Sequence, residues 1–204
     1  RALATEPRVL LLDEPLAALD ENLRSELAAE LRRVHQAVRG TFLHVCHSFE
    51  EAAEVADRVA IINEGRIVQV GTLEEIIARP ASLFVARFTR ARNILEGHAE
   101  PVDGGCRVQV GPGLFLESHA GSFSGPVAVA IRPEDIEFSS EGANRFTATV
   151  ASIRQCPTHL EVHLALPNGL SLVVYRGPGS GPSRVGATVE ACVDPRRVKV
   201  FPEA

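Results

Sequence analysis

Asp13 and Glu14 stand side by side at the end of the apolar run Val9-Leu10-Leu11-Leu12, and His47 follows a second strand-like stretch, Phe42 to Cys46. Two carboxylates and an imidazole so placed could work on a nucleotide phosphate. One carboxylate would hold Mg2+ through water, the second would polarise an attacking water, and the imidazole would sense the terminal phosphate. In an open parallel sheet, ligands sit beyond the carboxyl ends of the strands, and all three groups fall at such ends.

The elements that must position them follow from periodicity. Residues 8–12 read as one short strand, apolar without a break from Val9 to Leu12, as expected of a strand buried on both faces of a parallel sheet. Asp20 suits a helix N-cap, Leu23, Leu27, Leu31, Val34 and Val38 recur at helical spacing, and Gly40 is a stop. Phe42 to Cys46 reads as a second strand, and Ser48 with Glu51 as a capping box opening a helix through Ala56. A third strand, Val59 to Ile62, turns at Asn63-Glu64-Gly65 into Arg66 to Val70, and Thr72 with Glu75 caps another helix. This β-α-β-α-β order predicts an α/β sheet with right-handed crossovers.

The second half is different in texture. Residues 1–92 hold 3 Gly and 3 Pro, whereas residues 93–204 hold 13 Gly and 10 Pro, which places a domain boundary near Arg90 to Asn93 and gives domains 1–90 and 93–204. Short strands are predicted at Arg107–Val110, Val127–Ile131, Thr147–Ile153, Leu160–Leu166, Leu170–Tyr175, Val189–Val193 and Val198–Phe201, the pattern of a small all-β barrel. His159, Glu161 and His163 alternate on one strand face. Their spacing of roughly 6.8 Å per pair is wide for one ion, so a solvated face opposite Leu160, Val162 and Leu164 is expected.

Charge and composition exclude some classes. Residues 1–92 carry 12 basic and 14 acidic side chains, and residues 93–204 carry 9 and 12, so neither half has the basic excess of a nucleic-acid binder. No apolar run approaches the roughly 20 residues of a membrane span, and an intracellular protein is the expectation. Cys46, Cys106, Cys156 and Cys192 lack paired metal spacing and read as reduced structural thiols, with Cys46 a small buried hydrophobe.

The segment Arg8 to Asp20 resembles the Walker B strand, catalytic glutamate and D-loop of ABC transporter ATPases. Val45-Cys46-His47 with Glu50-Glu51-Ala52 is similar to their switch-histidine region. Asp57-Arg58-Val59, Glu64-Gly65-Arg66-Ile67 and Gly71-Thr72 continue the likeness to about Phe88. The resemblance implies Asp13 in the magnesium shell, reached through water, Glu14 as general base, His47 at the γ-phosphate of ATP and Asp20 at a dimer seam.

Ala17, Cys46 and Ser48-Phe49 depart from the wording common in that family. No Gly-x-x-x-x-Gly-Lys-[Ser/Thr] is present, and the sole lysine is Lys199, so the phosphate loop and signature motif are expected to precede an Arg1-Ala2-Leu3-Ala4 helix. The chain alone is therefore expected to be inactive.

Residues 93–204 resemble the OB-like TOBE barrel of importer ATPases, most clearly at Ile131-Arg132-Pro133-Glu134-Asp135-Ile136, read as a structural turn. Phe84-Val85-Ala86-Arg87-Phe88 and Asn93-Ile94-Leu95-Glu96-Gly97 are similar to members handling molybdate, tungstate or sulfate.

The implied fold is the C-terminal portion of an α/β P-loop NTPase followed by that barrel. The implied function is ATP-driven uptake of a small solute by a homodimer of ATPase subunits on membrane permeases, at the cytoplasmic side of the membrane, served indirectly by a solute-binding protein. The alternatives are an oxyanion-binding regulatory module, or an importer subunit for polyamine, sugar or ferric iron.

Overall fold

The computed structural model describes residues 7–38, 40–177, 179–182 and 184–203. The helix expected over Arg1–Ala4 lies outside them. The chain divides into two compact units, residues 1–81 and 82–204.

In the first unit, β1 (Val9–Asp13) and β2 (Thr41–Val45) form a parallel pair in which Leu10 faces Phe42, Leu12 faces His44 and Asp13 faces Val45. Between them runs α1 (Glu21–Val38), and α2 (Phe49–Val55) follows β2. Successive strand residues point to opposite faces. On one face the His35 ring of α1 meets Phe42 edge-on at 5.0 Å, and Glu51 of α2 bonds His44. Arg32 of α1 locks the two helices together by donating to the Val55 carbonyl at 3.0 Å and the Asp57 carboxylate at 3.3 Å.

Burial of β1 on both faces is not what the structure shows. Leu10 is buried, but Val9 and Leu11 are 56% and 70% exposed, because both helices pack on the Leu10 side. Leu23, Leu27 and Val38 of the α1 stripe are likewise exposed, and Ala28 is the helix's buried contact.

The third strand also departs from the expected sheet. β3 (Val59–Asn63) pairs with β4 (Arg66–Gly71) as a separate antiparallel ladder. The cause is local. Glu64 and Gly65 both take positive φ, 49° and 73°, the conformation of a two-residue turn whose twist matches a hairpin, so β3 meets its neighbour at once.

The helix after it, α3 (Leu73–Ala78), has the expected capping box. Thr72 Oγ1 accepts from the Glu75 amide at 3.2 Å, and Glu75 accepts from the Thr72 amide at 2.9 Å. Thr72→Ala is expected to cost about 1 kcal/mol, read as an earlier urea midpoint in helical circular dichroism.

The second unit begins ahead of the composition shift, with α4 (Leu83–Phe88), because Ala86 packs with Ala91, Ala130 and Phe201. Its strands are β5 (Asn93–Val102), β6 (Gly105–Gln109), β7 (Phe115–Ser118), β8 (Gly125–Ile131), β9 (Ile136–Glu137), β10 (Phe146–Gln155), β11 (Leu160–Ala165), β12 (Ser171–Arg176), β13 (Thr188–Val193) and β14 (Lys199–Pro202).

They form two antiparallel sheets, ordered β14-β8-β5-β6-β7 and β12-β11-β10-β13-β9, that wrap one apolar core as a nearly closed barrel. Inward residues such as Val108, Val129, Val162, Leu164 and Val174 are fully buried, each worth about 1.5–3 kcal/mol of transfer free energy. Asn93 joins the sheets: its side-chain amide donates to Val173 O at 2.8 Å and accepts from Val173 N at 2.6 Å. Pro133–Asp135 forms a single 3-10 turn, and Arg132 Nη2 donates to Thr89 Oγ1 at 2.7 Å.

Candidate functional site

The parallel register sets the ends of β1 and β2 side by side, so the residues after them meet. Glu14 Oε1 lies 3.1 Å from His47 Nδ1, with the two side chains 46% and 69% exposed. A carboxylate and an imidazole at that distance can share or pass a proton and remain open to a ligand.

Glu14 is held for this. Its φ of 44° is in the left-handed region, which costs a non-glycine residue about 1–2 kcal/mol. The Glu14 amide donates to the Val45 carbonyl at 2.9 Å, so the end of β2 fixes the strained residue. Asp13 is exposed at the last position of β1. Asp20 caps α1, accepting from the Leu23 amide at 3.0 Å. The structure thus brings Glu14 and His47 together beside Asp13, with Asp20 at the start of the following helix.

A second group adjoins His47 along β2, one that periodicity alone does not reveal. His44 and Cys46 follow one another on β2 and its exit, and His44 Nε2 is 2.6 Å from Glu51 Oε1, both side chains nearly buried. The expected capping box at α2 is therefore half formed. Ser48 Oγ accepts from the Glu51 amide at 3.2 Å, but the Glu51 side chain is drawn to His44. The alternation His44-x-Cys46 ahead of Glu51 was the available signal. Cys46 is half-buried, and burial first, then the Glu51 carboxylate, push its thiol up, so it is not an activated nucleophile.

In the second unit, the expected solvated face is corrected at Glu161, which is 2% exposed. Its carboxylate accepts from Arg92 Nη1 at 2.6 Å and Arg154 Nη2 at 2.7 Å, and pairs with His163 Nε2 at 2.8 Å. Burial alone would raise this carboxyl. Hydrogen bonds from His163 and Arg92 and the charges of Arg92 and Arg154 outweigh it and bring it down to about 2. Arg92 also donates to Tyr175 Oη at 2.7 Å, which together with Glu161 holds the guanidinium charged. A carboxylate enclosed by two guanidinium groups is a poor cation ligand.

Residues 129–201 match the TOBE domain family. The chain is 40% identical over 182 residues to a spermidine/putrescine import ATP-binding protein of Rubrobacter xylanophilus, covering 86% of this chain and 48% of that protein. It is 48% identical over 141 residues to a molybdate/tungstate import ATP-binding protein of Thermococcus kodakarensis, covering 69% and 41%. The chain is a relative of ABC importer ATP-binding subunits. A sulfate/thiosulfate import ATP-binding protein of Synechocystis matches at 35% identity over 207 residues, 98% of this chain and 55% of that protein. The chain spans about half the length of these relatives. Glu161, Arg154, His163, Tyr175 and the Arg132 turn therefore fall within the TOBE match, Arg92 lies ahead of it in the same compact unit, and the Glu14–His47 pair lies in the unit before.

Proposed function

We propose that this chain works within the ATP-hydrolysing subunit of an ABC importer for a small solute, supplying the hydrolytic half of the nucleotide site. The observation that carries the reading is the Glu14–His47 pair, 3.1 Å apart at the ends of two parallel strands. ATP would supply the scissile phosphoanhydride and Mg2+ its charge neutralisation.

The exposed Asp13 carboxylate suits a water-mediated contact with that ion. Glu14 takes the proton of the attacking water. His47, tethered to Glu14, presents its other ring nitrogen to the terminal phosphate. Asp20, at the start of α1, lies at the seam of a homodimer. The subunit would act on the cytoplasmic face of the membrane by docking on permease subunits, and no helix among the described residues is long and apolar enough to cross a membrane. The relatives' names point to polyamines or to oxyanions such as molybdate, tungstate and sulfate as the class of cargo.

ATP titration tests this. The present chain, which has no Gly-x-x-x-x-Gly-Lys-[Ser/Thr], is expected to show no binding in the micromolar range, and a longer chain that adds such a loop ahead of it is expected to bind and hydrolyse ATP. Micromolar binding by the present chain, or no hydrolysis by the longer one, overturns the proposal.

A further inference from the structure

We propose that His44, Cys46 and Glu51 form a binding site for a soft divalent cation, zinc above all, at the exit of β2 where Cys46 adjoins His47. The ligand atoms, an imidazole nitrogen, a sulfur and a carboxylate oxygen, lie within 4.8 Å of one another. Zinc binds these atoms at about 2.0–2.3 Å, so in a tetrahedron they stand about 3.3–3.8 Å apart. The cation needs the His44–Glu51 contact of 2.6 Å to open, and the Cys46 sulfur to leave the Ser48 carbonyl, now 3.6 Å away, and close in.

Local structure supplies the set. His44 and Cys46 alternate along β2 and its exit and so share a face, and Glu51 enters from the first turn of α2. Glu51 is a buried carboxylate bonded to an imidazole, with no guanidinium or ammonium hydrogen-bonded to it among the described residues, and a buried carboxylate whose partner is an imidazole rather than a fixed charge is costly to ionise. A divalent cation relieves that cost.

Another cluster of this kind among the described residues, Cys156, His159 and Glu161, is a weaker candidate because Arg92 and Arg154 already occupy its carboxylate. Thiolate and imidazole ligands select zinc over magnesium, so this site would not be filled by the Mg2+ of nucleotide chemistry.

The test is titration of this 204-residue chain with Co2+ as the spectroscopic probe, then competition with Zn2+. One equivalent of Co2+ is expected to give thiolate charge-transfer absorption and tetrahedral ligand-field bands. Zn2+ should displace it with a Kd of about 0.1 µM, the weak end of structural zinc sites, and millimolar Mg2+ should not. Cys46→Ser is expected to remove the charge-transfer band, Glu51→Gln to weaken Zn2+ at least about tenfold, and Cys156→Ser to change neither.

Zn2+ should also protect Cys46 from alkylation in the unaltered chain, followed by mass spectrometry, which does not depend on a variant folding. Absence of the charge-transfer band, its survival in Cys46→Ser, its loss in Cys156→Ser, or alkylation of Cys46 unaffected by Zn2+ overturns the proposal. None of these outcomes bears on ATP hydrolysis.

Discussion

Glu14→Gln, placed in the longer ATP-hydrolysing chain proposed above, is expected to lower ATP turnover by about 10³-fold and leave nucleotide binding within a few-fold of the parent. The magnitude is that of removing a positioned general base. Gln is chosen because it removes the base and little else. It has the same shape, it can adopt the φ of 44° as readily as Glu, and its amide can still meet His47 Nδ1 at the 3.1 Å now spanned by the carboxylate. The amide hydrogen bond from residue 14 to Val45 is unaffected.

Binding without turnover should hold the ATP-bound dimer closed, seen as a larger species in size-exclusion chromatography with ATP and Mg2+. Phosphate release at the parental rate would show that Glu14 is not the base. A parallel fall in ATP affinity would assign it to binding instead. His47→Ala gives the complementary reading, since it leaves the carboxylate and removes its tether, so the loss should be smaller if His47 acts mainly through Glu14.

What the sequence made legible depended on how locally each feature is determined. Asp20, Thr72 and the Asn63-Glu64-Gly65 turn were readable because a cap or a tight turn is settled by a few adjacent residues, and all three stand as expected. The pairing of β3 with β4 instead of with the β1–β2 sheet was not, although the turn that dictates it was seen. A tight turn pairs the two strands it joins, and that long-range consequence is not visible in the strand-helix alternation alone.

Strand β5, central in its sheet, escaped notice because Gly97 and Pro101 break its alternation. The structure shows why Gly97 is there: a Cβ would sit 2.7 Å from both the Gln109 carbonyl oxygen and a Val108 methyl group. The approach of Glu14 to His47 was readable from two strand ends in a parallel sheet. The His44–Glu51 bond was not, since it sets an i to i+7 contact against a capping pattern that used the same glutamate. Glu161 failed for a related reason. Alternation identified its face but not the arginine of residue 92, far away in sequence, that closes over it.

That closure makes Glu161 and Arg92 a stability-sensitive pair in the second unit, and the two substitutions should not cost the same. The Glu161 side chain is 3% exposed, whereas Arg92 and Arg154 are 40% and 65% exposed. Removing the carboxylate in Glu161→Gln leaves cations that can turn to water, an expected loss of about 1.5 kcal/mol. Removing Arg92 in Arg92→Leu leaves a buried anion with one exposed partner and His163, and the expected loss is about 3 kcal/mol.

Acid provides an independent check. The folded carboxyl titrates near about 2 against an ordinary value of 4.5. A depressed folded value means that this stabilisation is fully present above about pH 4.5 and is lost as pH falls toward 2. Glu161→Gln should lack that component of acid sensitivity. Arg92→Leu should show its carboxyl protonating at higher pH, moving the acid transition upward.

Tyr175 reports the outcome, since it is the chain's one tyrosine, there is no tryptophan, and its hydroxyl is bonded to Arg92. Urea unfolding followed by its fluorescence at pH 7 and pH 3 should therefore rank the parent above Glu161→Gln above Arg92→Leu at neutral pH, with the parent and Glu161→Gln converging in acid. Equal costs for the two substitutions at pH 7 would mean that the carboxylate is not the buried charge around which this corner of the domain is built.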